Sequence, residues 1–340
     1  MIISKYIDDL SDALQKAGKS EYITGICINY ADNLVSKNLP VIFDVNHISK
    51  LLGIETRDLY KILYSEDFYY REIDIPKKNG GIRKLGVPSV TLKIIQRWIL
   101  DNILINIPIS NNANGFCKDK SILTNAMKHL NKNCVINMDI KDFFPSISRK
   151  TIFNVFFRLG YTKEVAFVLS KLCTYEEILP QGSPASPYLS NIVSLNMDER
   201  IQKITNKYNA FYSRYADDIT ISGNYGIEKC IGAVRQIIQS EGFVVNETKT
   251  RIAYKHERQE VTGIVVNNNT PRINNKYKKK LLQEIYFCKK FGVSNHLTRI
   301  NCDKVFFKEH LYGKAYFIKM VENDTGNRFL DLLDSISWDY

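Results

Sequence analysis

No run in this chain approaches the roughly 18 apolar residues of a membrane span, and the start lacks the cationic stretch, apolar core and cleavage site of a secretory leader. Neither membrane insertion nor export is expected, so the sequence points to a cytoplasmic protein with no membrane partner. Histidine is scarce, at five residues, and none has a Cys/His spacing that would hold zinc. The seven cysteines (Cys27, Cys117, Cys134, Cys173, Cys230, Cys288 and Cys302) form no C-x-x-C pair. Most lie in apolar runs and read as small buried hydrophobes in a reducing compartment, which excludes a disulfide scaffold. Internal repeats and low-complexity tracts are also missing, which excludes a solenoid.

What is present fits a globular protein of 340 residues, 44% hydrophobic and 24% charged, long enough for two or three subdomains. Lys and Arg number 47 against 36 Asp and Glu, a formal charge of +11. That excess favours a polyanionic partner, although charge alone does not decide it.

The most informative stretch runs from Phe211 to Gly223. Aromatic and β-branched residues flank Asp217 and Asp218 on both sides, which predicts two strands joined by a tight connection with the acids at its tip. Two carboxylates close together in an apolar setting resist ionising, so a cation is expected beside them. Mg2+ accepts hard oxygen ligands and bridges to phosphates. A further carboxylate on another strand would complete such a site, and Asp139, ending the apolar run from Cys134 to Met138, is the best candidate. Each feature alone has a plain reading, an Asp-Asp turn or an Asp helix cap.

Taken together, Tyr215-Ala216-Asp217-Asp218, Asp139 with Phe144 five positions on, and Leu179-Pro180-Gln181-Gly182-Ser183-Pro184 between them closely resemble the palm of reverse transcriptases. Asn125-Ala126-Met127-Lys128-His129 before the palm and Val261-Thr262-Gly263 after it resemble the signatures of bacterial retron reverse transcriptases. The resemblance covers about residues 45 to 270. It implies an α+β, right-hand polymerase fold with fingers, a palm built on an antiparallel sheet, and a helical thumb. The expected division is residues 1–130 for N-terminal helices and fingers, 131–268 for the palm with connecting helices at about 150–178, and 269–340 for the thumb and a C-terminal RNA-binding region.

The implied activity is RNA-directed DNA polymerisation that turns a cognate structured non-coding RNA into branched multicopy single-stranded DNA within an anti-phage system. The implied partners are that RNA and its DNA copy, deoxynucleoside triphosphates and a retron effector protein. Asp139, Asp217 and Asp218 would hold two Mg2+, and Lys249 would neutralise or protonate the departing pyrophosphate. A group II intron-like or other bacterial reverse transcriptase, or a silent RNA-binding scaffold, are the alternatives; the intact carboxylates speak against the last.

Around this core, residues 67–90 alternate about Lys77-Lys78-Asn79-Gly80-Gly81-Ile82-Arg83-Lys84, a hairpin signal. Arg83 and Lys78 suit the incoming triphosphate, while an edge hairpin protected by lysines is the bland reading. As the resemblance to reverse transcriptases implies, Phe144 would sit beneath the sugar and exclude a 2′-hydroxyl, unless it is core like Phe143. Gln181 and Gly182 would let the backbone approach the nucleotide and template base. Asn125 and His129, spaced i and i+4 on a predicted helix from Ser121 to Leu130, are expected to contact RNA through one face, as the family resemblance implies. Val261, Thr262 and Gly263 read as part of a strand pair closing on the primer terminus and, as the resemblance implies, as contacts for RNA. Lys278, Lys279 and Lys280 belong to a basic helical stretch, with Tyr277, Tyr286 and Phe287, expected to meet phosphates. With the chain ending at residue 340, no RNase H or endonuclease module is expected. Tyr30-Ala31-Asp32-Asn33 copies three letters of the acidic tetrad but lies in a helical pattern without strands, and residues 44–63 read as two packed helices.

Overall fold

Short polar side chains start most of the early helices, because a Ser, Thr or Asp oxygen satisfies a backbone N–H that the first turn leaves unpaired. Ser20, Asp44, Ser89, Ser148 and Thr162 each accept from the third residue beyond, and Ser121 forms a reciprocal box with Thr124. The computed structural model describes residues 2–76, 80–301 and 306–338. In chain order it holds α1 (Ile2–Lys16), α2 (Glu21–Val35), α3 (Val45–Leu52), α4 (Thr56–Tyr64), α5 (Glu66–Tyr69), β1 (Tyr70–Pro76), β2 (Ile82–Pro88), α6 (Val90–Asn102) and α7 (Ile122–Met127). There follow β3 (Cys134–Lys141), α8 (Arg149–Leu159), α9 (Lys163–Cys173), α10 (Ser186–Val193), α11 (Leu195–Asn206), β4 (Phe211–Tyr215), β5 (Asp218–Gly223), α12 (Ile231–Ser240), β6 (Val244–Val245) and β7 (Arg251–Tyr254). The last elements are β8 (Glu260–Val261), β9 (Ile264–Val265), β10 (Arg272–Ile273), α13 (Asn275–Phe291), α14 (Val293–Arg299), α15 (Phe307–Val321) and α16 (Asn323–Asp334). The class is α+β, as expected.

The chain forms two compact units. The first comprises Met1–Asn111, Lys141–Glu199 and Ile238–Val244. Its helices bury Leu34, Ile42, Ile48, Leu59, Ile95, Ile99, Phe156 and Leu169. Tyr161 seals this core with its hydroxyl on the Pro40 carbonyl at 3.0 Å, and Arg149 ties α8 to Glu66 by two hydrogen bonds of 2.7 and 2.9 Å. The hairpin predicted at 67–90 is present, with β1 antiparallel to β2 from Tyr70↔Pro88 to Pro76↔Ile82. The Tyr30-Ala31-Asp32-Asn33 decoy is helical, within α2. Ser186-Pro187 opens α10, with Ala185 as its cap and the proline in the first turn.

The second unit comprises Asn112–Ile140, Arg200–Ile237 and Val245–Tyr340. Its main sheet has the order β4-β5-β3-β6, with β7 also pairing β3. β3 is central, antiparallel to β5 and β7, and its residues Cys134, Val135, Ile136 and Met138 are buried. A central strand covered on both faces reads as a continuous apolar run, which is why the sequence from Cys134 shows little alternation. A smaller antiparallel sheet, β10-β9-β8, follows. Beyond it α13 to α16 close on Leu281, Ile285, Leu311, Ala315, Ile318 and Leu333.

Candidate active site

The β4–β5 pairing sets Tyr215 opposite Asp218, so only Ala216 and Asp217 turn the chain. A two-residue connection needs an unusual backbone, and Ala216 takes it with φ of 57°. Strain of that kind persists where the surroundings hold it. Here the fully buried Arg214 donates from Nη1 to the Ala216 carbonyl at 3.1 Å, and Ile140 N–H donates to the Asp217 carbonyl at 3.0 Å. The strand-like segment at Ala113 runs beside Arg214, and the next turn of chain passes so close that a Cβ on Gly115 would stand 2.7 Å from the Ala216 nitrogen. Only glycine fits there.

Asp139 lies directly opposite Asp218 in the β3–β5 register, so both side chains leave one face of the sheet. Asp139 is 6% exposed and well partnered. Its Oδ1 accepts from Asn246 Nδ2 at 3.1 Å, its Oδ2 accepts from Lys249 Nζ at 2.9 Å, and its carbonyl accepts from Asn246 N–H at 2.7 Å. The hydrogen bond to Asp139 raises the Lys249 ammonium above the usual lysine value. Desolvation of the carboxyl beside the cleft, although the residue itself stays exposed, and then the charges of Asp217 and Asp139 push Asp218 up to about 6. Between its ordinary value and 6 the folded chain therefore keeps a proton that the unfolded chain releases, and ionising Asp218 costs stability as pH rises through that window.

This donor set suits a hard divalent cation: three carboxylates gather on one turn and one strand, and one of them resists ionising without a nearby positive charge. Among the described residues no three Asp, Glu, His or Cys side chains enclose an ion as they stand. The cation that meets Asp139 in this structure is the Lys249 ammonium.

A cleft of about 220 Å³ opens on the same face, lined by Asp139, Asp218, Lys249, Glu260, Thr262 and Gly263 among others. Thr262 and Gly263, both at positive φ (47° and 83°), form the two-residue turn between β8 and β9. Both central residues at positive φ define a type I′ hairpin turn, and Gly263 meets that demand without strain. Thr262 Oγ1 donates to the Ile122 carbonyl at 3.0 Å, tying this turn to the start of α7. Val261 is buried beneath it with Ala126, Val135, Ile264 and Val266, so its part is packing rather than contact with RNA.

Asp139, Asp217, Asp218, Lys249, Thr262 and Gly263 are thus brought together. Asn125 and His129 are not surface contacts. α7 ends at Met127, so the two do not share a helical face, and both are buried. His129 bridges the hairpin instead, Nδ1 to Ser222 Oγ and Nε2 to Ser213 Oγ, each at 2.7 Å. Burial, with Lys128 and Lys132 nearby, lowers its imidazole to about 3. Lys278 is held by Glu322 through two hydrogen bonds of 2.9 Å, which removes it from a phosphate-facing role; Lys279 and Lys280 are exposed on α13.

The remaining expected residues belong to the first unit. Lys78 lies outside the described residues, and Arg83 stands in β2 opposite Ile75. Phe143 is buried and Phe144 half-buried, their rings 5.5 Å apart. Gly182 runs against β2, where a Cβ would come within 2.5 Å of the Gly86 carbonyl oxygen, and Gln181 is half-buried beside it. Sequence reasoning missed Asn246 and Glu260. The first stood three positions before Lys249 with only its amide as a signal, and the second directly before Val261.

Residues 75–266 match the family model described as "Reverse transcriptase (RNA-dependent DNA polymerase)". The chain is 34% identical over 307 residues to the retron Ec86 reverse transcriptase of Escherichia coli, covering 89% of this chain and 92% of that one. Two Myxococcus xanthus relatives are the retron Mx162 reverse transcriptase, 29% identical with coverage of 85% and 66%, and the retron Mx65 reverse transcriptase, 31% identical with coverage of 76% and 63%.

Proposed function

The chain belongs to the retron reverse transcriptases, and from that premise we propose that this RNA-directed DNA polymerase copies a structured non-coding RNA of its own into single-stranded DNA that stays joined to the RNA through a 2′,5′ branch. The observation that carries the reading is the cross-strand pair Asp139 and Asp218 with Asp217 at the adjoining turn, above a cleft that the Thr262-Gly263 turn borders. Asp139, Asp217 and Asp218 would hold two Mg2+, which when bound would activate the attacking hydroxyl and stabilise the departing pyrophosphate.

The chain's own residues supply the rest. Asn246 orients Asp139 through side chain and backbone together. Lys249, which neutralises Asp139 in the free protein, is the cation available to balance charge on the leaving group. Arg214 and Gly115 keep the acidic turn in place, so the acids need little reorganisation when substrate arrives. Phe144 is assigned the steric discrimination against ribonucleotides, Gln181 and Gly182 the approach to nucleotide and template, and Arg83 with Lys78 the triphosphate. The reading of fingers, palm and thumb onto residues 1–130, 131–268 and 269–340 belongs to the same proposal.

Family membership further supports an effector protein as partner, a role in defence against phage and a cytoplasmic setting. Among the described residues no helix is long and apolar enough to cross a membrane. Expressed with its native neighbouring RNA, the protein should yield a small single-stranded DNA that loses its RNA anchor on treatment with a debranching enzyme. Finding only linear products extended from RNA 3′ ends would refute the branched-product reading and leave the polymerase standing.

A further inference from the structure

A second cleft, of about 400 Å³, lies at the other end of the β4–β5 hairpin from Asp217. The five residues of β4, at about 3.3 Å each, put roughly 15 Å of strand between this cleft and the acidic turn. Two turns build it. α11 unwinds through Lys207, Tyr208 and Asn209, whose φ is 50°, before β4 begins; β5 ends at Gly223 and continues through Asn224, Tyr225 and Gly226 to the helical turn of Lys229.

The chemistry of the lining is consistent from one side to the other. Lys207 and Lys229 supply positive charge, and Tyr208 and Tyr225 supply rings. Tyr225 is 84% exposed, an aromatic with little packing duty. Lys132 adds a third cation outside the lining: its ammonium stands 4.2 Å over the ring of Phe211, and its neighbour Asn133 makes two hydrogen bonds to Asn224, of 3.4 and 3.3 Å. Among the described residues no acidic side chain lines the cleft. Glu228, next to Lys229, instead engages Tyr254 and Cys134.

We propose that this cleft is a second nucleic-acid site, taking a single-stranded polynucleotide with phosphates on Lys207 and Lys229 and an unpaired base on the ring of Tyr225. Exposed rings interleaved with lysines are how proteins hold single strands without reading sequence, because every base offers a face for stacking and every linkage a charge. A duplex keeps its bases stacked on one another and would leave the tyrosines unused. The template RNA and the DNA product share the required chemistry. The inference goes beyond the polymerase reading, since binding here needs no catalysis.

The test uses the full-length protein and fluorescent 12-residue oligomers of U and of dT, followed by anisotropy over a range of salt. Tyr225→Ala should weaken binding about tenfold. Lys207→Glu with Lys229→Glu should lower the slope of log affinity against log salt by about 1.4, two phosphate contacts' worth for a single strand. Loss confined to the U oligomer assigns the site to RNA, loss confined to dT assigns it to DNA, and loss of both supports a site for either. Unchanged affinity and slope with both oligomers would overturn the proposal. So would a parallel fall in the initial rate of primer extension at saturating primer–template, since the residues would then be acting through the catalytic cleft.

Discussion

His129 is held between Ser213 and Ser222 without exposure, and its imidazole stays neutral in the folded chain. The ordinary histidine value is 6.5, and burial takes it to about 3. As pH falls below 6.5 the unfolded chain gains a proton that the folded chain refuses, so stability is lost progressively down to about 3; at pH 5 the loss is about 2 kcal/mol. Replacing His129 by Gln should cost stability at pH 7, through the two serine hydroxyls, and should flatten the fall in Tm between pH 7 and pH 5. Thermal unfolding of both proteins at the two pH values checks this, and an equal fall in both would mean another group governs acid sensitivity. The same residue shows a limit of reading by spacing. Asn125 and His129 look like helix neighbours, but the helix stops at Met127, and nothing local announces the two serines, 84 and 93 positions away, that claim the ring.

At the scale of elements, the acidic hairpin is positioned by neighbours on both sides: β3 beside β5, and the Asn112–Phe116 loop against the turn itself. Gly115→Ala tests that support. Its methyl would meet the Ala216 backbone at 2.7 Å, so the turn must move. A displacement near 1 Å in a catalytic geometry costs on the order of a hundredfold in rate, whereas forcing one methyl into a packed site costs only about 1–3 kcal/mol of stability. Primer extension should therefore fall far more than Tm; full activity would show that the turn does not depend on this contact. The hairpin was legible in the sequence because its signal is local, with β-branched and aromatic residues on either side of two acids. The small strands β8 and β9 were legible for the same reason, at Val261-Thr262-Gly263. Asn246 was not, since its role depends on β6 delivering it to Asp139, 107 positions earlier in the chain. Lys278 was misread because its partner, Glu322, lies 44 positions on, at the junction of α15 and α16.

Over the whole molecule, the formal charge of +11 anticipated a polyanionic partner but not where it would bind. Lys279 and Lys280 are exposed on α13 and available to phosphate, while Lys278 beside them is tied to Glu322. Reversing both charges should weaken RNA binding and reduce its salt slope by about one per lost contact; a filter-binding series in rising salt with an unchanged slope would remove α13 from the interface. The family and the α+β class could be read from the sequence because its motifs are short and contiguous. The central claim concerns the acids themselves, and Asp217→Asn addresses it most directly, since it removes a charge and leaves the size and the turn intact. Primer extension on poly-rA/oligo-dT in Mg2+, with RNA affinity and Tm measured on the same preparations, should show DNA synthesis abolished while binding and folding stay near those of the parent. Synthesis at the parent's rate would contradict the assignment of Asp139, Asp217 and Asp218 as the catalytic centre.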